Sequence, residues 1–113
     1  MKLTMSERFE LVPLIPKEGN PLLVFRGVKL NAELMPTEEE IKAWGIESSP
    51  DGGLKWKEEM AMEEVEIELG EMLQDYFTKL LDDEYKQNKF KVNHILLYRR
   101  FVLGDINAKI PGE

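Results

Sequence analysis

Residues 71–87 have the sequence EMLQDYFTKLLDDEYKQ, which carries the clearest helical pattern in the chain. Apolar side chains recur every three or four residues, so a helix places them in one stripe: Met72, Leu73, Tyr76, Phe77, Leu80 and Leu81. Acidic residues lie near its start and a lysine near its end, as the helix dipole favours. This pattern predicts a helix over residues 71–87 with one buried face.

On the N-terminal side of this helix the period changes from helical to alternating. Residues 64–69 (EVEIEL) place every second side chain on one face, and residues 54–57 (LKWK) alternate in the same way. Residues 48–53 (SSPDGG) are turn formers, and residues 46–48 are a candidate third strand. We expect residues 54–57 to pair antiparallel with residues 64–69 in a two- or three-stranded meander.

Two capping boxes predict helix starts earlier in the chain. In each, a threonine stands three residues before a glutamate that can accept from the threonine amide: Thr4 with Glu7, and Thr37 with Glu40. Prolines at positions 13 and 16 end the first of these helices, and Gly45 ends the other.

Residues 22–34 allow two interpretations. Their valines and phenylalanine are compatible with a strand, and Gly27 weakens a helix by about 1 kcal/mol relative to alanine. Asn20 followed by Pro21 is typical of a helix start, because asparagine caps the helix and proline fits its first position. This cap favours the helix.

The last predicted helix begins with Asn93 as its N-cap and ends at Gly104, with Val92 and Leu97 in contact as a hydrophobic staple. It completes a mostly helical α+β fold.

The chain has 113 residues, which fits one domain. We expect this domain over residues 1–104, followed by a flexible tail over residues 105–113. The predicted core comprises Trp44, Trp56, Phe77, Leu80, Leu81, Leu97 and Phe101. Trp44 and Trp56 could alternatively mark an exposed contact surface, because tryptophan is common in binding sites.

The composition narrows the function classes. Cysteine is absent, which rules out disulfides and thiolate metal sites. No signal peptide and no apolar run of about 20 residues is visible, so we expect a soluble, cytoplasmic protein without a membrane partner. The net charge of −7 argues against binding to nucleic acid.

Catalytic and cofactor patterns are also missing. His94 is the only histidine, no nucleophile motif accompanies it, and Gly52 with Gly53 lacks the spacing and the lysine of a P-loop. The sequence therefore predicts a non-enzyme without cofactor or metal. An enzyme would need a concave pocket with convergent polar groups.

The order of elements resembles that of short uncharacterised proteins from phages and prophages, which have no assigned activity. The resemblance lies in residues 3–8 (LTMSER), 14–20 (LIPKEGN) and 37–41 (TEEEI), in the tryptophan hairpin, and in the strand over residues 64–70 that enters a helix. It implies a phage-type source and no particular chemistry.

Charge is distributed unevenly along the chain. Eight acidic and no basic residues lie between positions 58 and 75, whereas five lysines and arginines and no acidic residue lie between positions 86 and 100. These segments supply a candidate interaction surface: Glu58, Glu59, Glu64, Glu66, Glu68, Arg99 and Arg100. The sequence favours a protein-interaction module that binds another protein or itself, with a homodimer as one form. The alternative is a nucleic-acid-binding regulator of winged-helix type.

Overall fold

The computed structural model describes residues 1–109 and shows an α+β domain that is mostly helical. Within this range the helices are α1 (Met5–Leu11), α2 (Pro21–Leu34), α3 (Glu38–Trp44), α4 (Glu71–Lys86) and α5 (Ile95–Tyr98). The short strands are β1 (Lys2–Thr4), β2 (Glu47–Ser48), β3 (Leu54–Lys55) and β4 (Glu64–Glu66). Single 3₁₀ turns cover Val12–Leu14, Glu58–Met60 and Val92–His94, and a π-helical segment, Arg99–Leu103, continues α5.

Helix α4 passes through the hydrophobic core, as its apolar stripe predicts. Leu73, Phe77 and Leu81 are buried on this stripe, and the Phe77 ring packs edge-on against Phe101 with 5.7 Å between ring centroids. Five of the seven predicted core residues are buried: Trp44, Phe77, Leu81, Leu97 and Phe101. The prediction was wrong for Trp56 and Leu80, which are half-buried.

The strands pair differently from the prediction. Strand β4 pairs antiparallel with β1, with Leu3 opposite Val65, and β3 pairs antiparallel with β2. The predicted pairing of residues 54–57 with residues 64–69 is therefore wrong. Pairing of β4 with β1 buries Leu3 and Ile67 in the core, and this burial of apolar surface stabilises the fold. Both residues of β3 are exposed, so pairing of β4 with β3 would bury less apolar surface.

The predicted helix starts are confirmed. The Thr4 hydroxyl accepts from the Glu7 amide at 3.3 Å while the Glu7 carboxylate accepts from the Thr4 amide at 3.0 Å, and Thr37 forms the same box with Glu40. Gly45 ends α3 in the left-handed region, with a φ of 63°.

Residues 22–34 form a helix, and its glycine has a packing role. The Asn20 side chain accepts from the Leu22 amide at 2.9 Å and caps α2. A Cβ atom at Gly27 would lie 2.7 Å from Cγ2 of Ile15. Glycine is therefore needed here so that α2 can approach the segment that follows α1.

The C-terminal part needs two corrections. His94, and not Asn93, stands at the N-cap of α5, because residues 92–94 form a separate 3₁₀ turn. Val92 is 82% exposed, so the predicted staple with Leu97 is absent. The predicted stop at Gly104, in the left-handed region, is confirmed.

The predicted tail is only partly described. The amide of Asp105 donates to the carbonyl of Arg99 at 3.1 Å, and Asp105 then opens a turn. Residues 110–113 lie outside the described residues, so flexibility over residues 105–113 stays a prediction.

Candidate interaction surface

The structure places the acidic and the basic residues of the predicted interaction surface differently. Glu58, Glu59, Glu64, Glu66 and Glu68 are exposed, whereas Arg99 and Arg100 are half-buried. Arg100 has a side chain only 13% exposed, and it lies between the carboxylates of Glu7 and Glu64. Arg100 is therefore largely enclosed by its acidic partners, and Glu64 forms an ion pair with it while remaining exposed.

The Arg100 side chain forms a brace between distant parts of the chain. Its Nε donates to Oε2 of Glu7 at 2.6 Å, and its Nη2 lies 2.8 Å from Oε1 of Glu7 and 2.8 Å from Oε2 of Glu64. Glu7 is fully buried on α1. The brace thus joins α1, β4 and the π-helical segment.

The buried side chain of Arg8 contacts the C-terminal end of α2. Arg8 donates to the carbonyls of Leu34 at 3.1 Å and Met35 at 3.0 Å, and its Nη1 lies 2.7 Å from the Glu40 carboxylate. The hydrogen bond from Arg8 holds the pKa of Glu40 below its ordinary value. Arg8 therefore joins helices α1, α2 and α3 at this point.

The single histidine, His94, is buried. Its Nδ1 lies 2.7 Å from the carboxylate of Glu84 on α4. Nearby, the hydroxyl of Ser6 donates to Glu10 at 3.3 Å, and burial raises the pKa of Glu10. Among the described residues no three His, Asp or Glu side chains are placed to hold a metal ion.

A shallow groove opens beside Glu10. It has a volume of about 400 Å³, and Phe9 and Trp56 form one wall with rings 5.9 Å apart. A carboxyl group with a raised pKa can exchange protons closer to neutral pH.

The serine, the histidine and the carboxylates of this region do not form a hydrolase triad. Ser6 contacts Glu10, whereas His94 contacts a different carboxylate, that of Glu84.

Helix α2 is apolar on its solvent side as well as on its core side. Its buried residues are Gly27, Leu30 and Leu34. On the other side Leu22 is 49%, Phe25 63% and Val28 68% exposed, and Ala32 and Met35 extend the stripe. A helix at the surface normally places polar residues there. We call the residues Leu22, Phe25, Val28, Ala32 and Met35 the α2 face.

Grooves and charges flank the α2 face. One groove of about 460 Å³ lies toward the start of α4, and another of about 630 Å³ lies toward the segment after α1. Arg26, Lys29 and Glu33 are exposed along the first groove, and none of them forms an ion pair among residues 1–109. The Nζ of Lys29 lies 5.8 Å from the centroid of the Phe25 ring.

Sequence reasoning did not single out the α2 face. The sequence did contain a signal for it, because the apolar residues of positions 22–34 are too many to fit on one side of a helix. The same residues made both a helix and a strand compatible with the pattern.

No protein-family model, curated protein or solved structure matches this chain. No helix in the described part of the chain is long and apolar enough to span a membrane. Similarity therefore assigns no family, and the contacts described above are what bear on function.

Proposed function

We propose that this protein is a non-enzymatic protein-interaction module and that the α2 face is its contact surface. The observation that carries the proposal is the exposure of Leu22, Phe25 and Val28 together on one helix. Burying one such side chain completely contributes about 1.5–3 kcal/mol, so a partner that covers all three gains substantial affinity. Contiguous apolar patches of this kind mark protein contact sites.

The acidic surface has a supporting role in this proposal. Glu58, Glu59, Glu66 and Glu68 are exposed, and Glu68 borders the groove beside α2. Exposed charges change the rate of encounter more than the affinity. A partner with basic residues around its apolar contact therefore associates fastest at low salt.

The experiment is site-specific photo-cross-linking. A benzophenone amino acid replaces Phe25 in one variant and Val92, which is also exposed but lies outside the α2 face, in the other. We expect a protein cross-link from position 25 that position 92 does not give, and competition by wild-type protein but not by Phe25→Ser. Equal products from both positions, or none from position 25, would contradict the α2 face as a contact surface.

A second candidate is a nucleic-acid-binding module of winged-helix type. The order α1, α2, α3 and then the β2–β3 hairpin favours it. However, α3 would have to enter the major groove, and it exposes Glu38 and Glu39 with Lys42 as its single cation. A gel-shift titration with duplex DNA at low salt tests it, and submicromolar binding would displace the interaction proposal.

A phage or prophage origin and a cytoplasmic location belong to the same proposal. The resemblance in element order supports the origin, and the cysteine-free sequence fits a reducing compartment.

A further inference from the structure

We propose that the groove beside Glu10 is a binding site for a guanidinium group, which an arginine side chain of a protein partner supplies. We call it the Glu10 groove and define it by Phe9, Glu10, Pro13, Leu54 and Trp56. It lies outside the α2 face, so this inference goes beyond the proposed function and does not depend on that contact surface.

The walls of the Glu10 groove are mostly apolar and come from two segments. Helix α1 and the 3₁₀ turn after it provide Phe9 and Pro13, while β3 and the residues that follow it provide Leu54 and Trp56. The Trp56 ring lies against the Phe9 ring with 5.9 Å between centroids and 29° between planes, and both side chains are half-buried. The groove therefore offers a cation the aromatic surface that favours its binding.

Glu10 is the only charged residue that lines the groove within residues 1–109. Its carboxylate accepts from the Ser6 hydroxyl at 3.3 Å, and its Oε2 atom is buried without a hydrogen-bond partner among these residues. A buried oxygen of this kind is costly, because it has lost water and gained no donor in exchange. The last torsion angle of a glutamate side chain is soft, so a small rotation can turn the carboxylate toward a donor in the groove.

The electrostatics around Glu10 favour a cation as the occupant. Burial raises the pKa of Glu10 against the opposing effect of the hydrogen bond from Ser6, while Glu7 raises this pKa further and His94 lowers it. His94 is itself in contact with Glu84, at 2.7 Å. A cation that enters the groove stabilises the ionised carboxylate and offsets its loss of water.

A guanidinium fits this groove better than an ammonium does. It is planar, stacks on aromatic rings and donates two parallel hydrogen bonds to one carboxylate. It is also more weakly hydrated than the ammonium of lysine, so it loses less when apolar side chains replace its water. The volume of about 400 Å³ is that of a small ligand site.

The position of the groove is compatible with a protein partner. Pro13 lines the Glu10 groove and also the groove of about 630 Å³ beside Val28 of the α2 face. A single partner can therefore cover the α2 face and place an arginine against Glu10.

The test is an NMR titration of the isotope-labelled full chain with capped tripeptides that have arginine, lysine or citrulline between two glycines. Citrulline has nearly the shape of arginine but carries no charge. For the arginine peptide we expect a dissociation constant of about 1 mM, because one side chain makes a small contact. The largest shifts should occur at Phe9, Glu10 and the indole N–H of Trp56. Lysine should bind about fivefold more weakly, and citrulline should not bind.

Variants separate the groove from general attraction to an acidic protein. Glu10→Gln should weaken binding of the arginine peptide about tenfold, and Trp56→Leu should weaken it about threefold. The matched control Glu58→Gln removes an exposed carboxylate two positions from Trp56 and should leave the dissociation constant unchanged. Circular dichroism reports whether each variant is folded.

Each contrary outcome overturns a stated part of the proposal. Equal weakening by Glu10→Gln and Glu58→Gln, or no shifts in the groove up to about 20 mM arginine peptide, would overturn the site. Citrulline that binds as well as arginine would overturn the guanidinium as its ligand. Free arginine that binds at least about tenfold more tightly than the capped peptide would overturn a protein partner as the source. Cross-linking from position 25 tests the α2 face separately.

Discussion

Replacing Glu7 by glutamine should destabilise the fold by about 3 kcal/mol. Glu7 is fully buried, and its carboxylate accepts two hydrogen bonds from Arg100 and one from the Thr4 amide. Glutamine keeps the shape and can keep the capping contact, but it removes the charge that Arg100 faces. Breaking one side of a buried ion pair costs about 3–5 kcal/mol, and Glu64 keeps the loss at the lower end because it still neutralises Arg100.

The measurement is urea unfolding followed by far-ultraviolet circular dichroism, which gives the free energy of unfolding for wild type and variant. Domains of this size have about 5–15 kcal/mol of stability in total. A loss of about 3 kcal/mol should lower Tm by roughly 13 °C.

The matched control is Glu66→Gln, a change of the same kind at an exposed position of β4, for which we expect less than about 0.5 kcal/mol. The double variant Glu7→Gln with Arg100→Gln should cost less than the sum of the two single changes. In the double variant both charges of the pair are removed, so neither is left without its partner. A Glu7→Gln protein as stable as wild type would refute the reasoning and show that Arg100 needs only Glu64.

Three further changes test other contacts by urea unfolding. Gly27→Ala should destabilise the protein by about 1–3 kcal/mol, despite the better helix propensity of alanine, because its Cβ meets Ile15. Glu10→Gln should gain stability relative to wild type as pH rises above 4.5, because burial raises the pKa of Glu10 and its ionisation in the fold is costly. Glu40→Gln should cost most at neutral pH and least in acid, because its hydrogen bond from Arg8 lowers the pKa of Glu40, and that stabilisation disappears as pH falls.

Each of these three predictions has an outcome that would contradict it. A Gly27→Ala protein more stable than wild type would mean that the segment after α1 moves away without cost. A Glu10→Gln difference that is constant between acid and neutral pH would show that the ionisation of Glu10 is not opposed by the fold. A Glu40→Gln loss that does not diminish in acid would place the contribution of Glu40 in packing or capping and not in its charge.

The parts of the fold that the sequence predicted depend on neighbouring residues. The capping boxes join residues three apart, and the stripe of α4 repeats within one helix, so each can be recognised in a short window. The pairing of β1 with β4 joins positions about 60 residues apart. Three residues are too few to show a period, which is why β1 was not predicted.

The interaction surface was harder to predict for a related reason. Residues 22–34 are apolar on more than one side, and a sequence does not show which side the core covers. The charge pattern also placed Arg100 at the surface, because nothing local to it reveals that Glu7 lies opposite, 93 positions earlier. The exposure of Phe25 and the partial burial of Arg100 are both decided by packing between distant segments.

The link between Glu7 and Arg100 also has a consequence for how the protein is made. Synthesis proceeds from the N-terminus, so α1 leaves the ribosome long before Arg100 has been translated. Until then Glu7 lacks the cation that compensates its burial, and the growing chain gains little by enclosing α1. We therefore expect the domain to close only after Arg100 has been translated, with the apolar residues of β1 and α1 exposed until then.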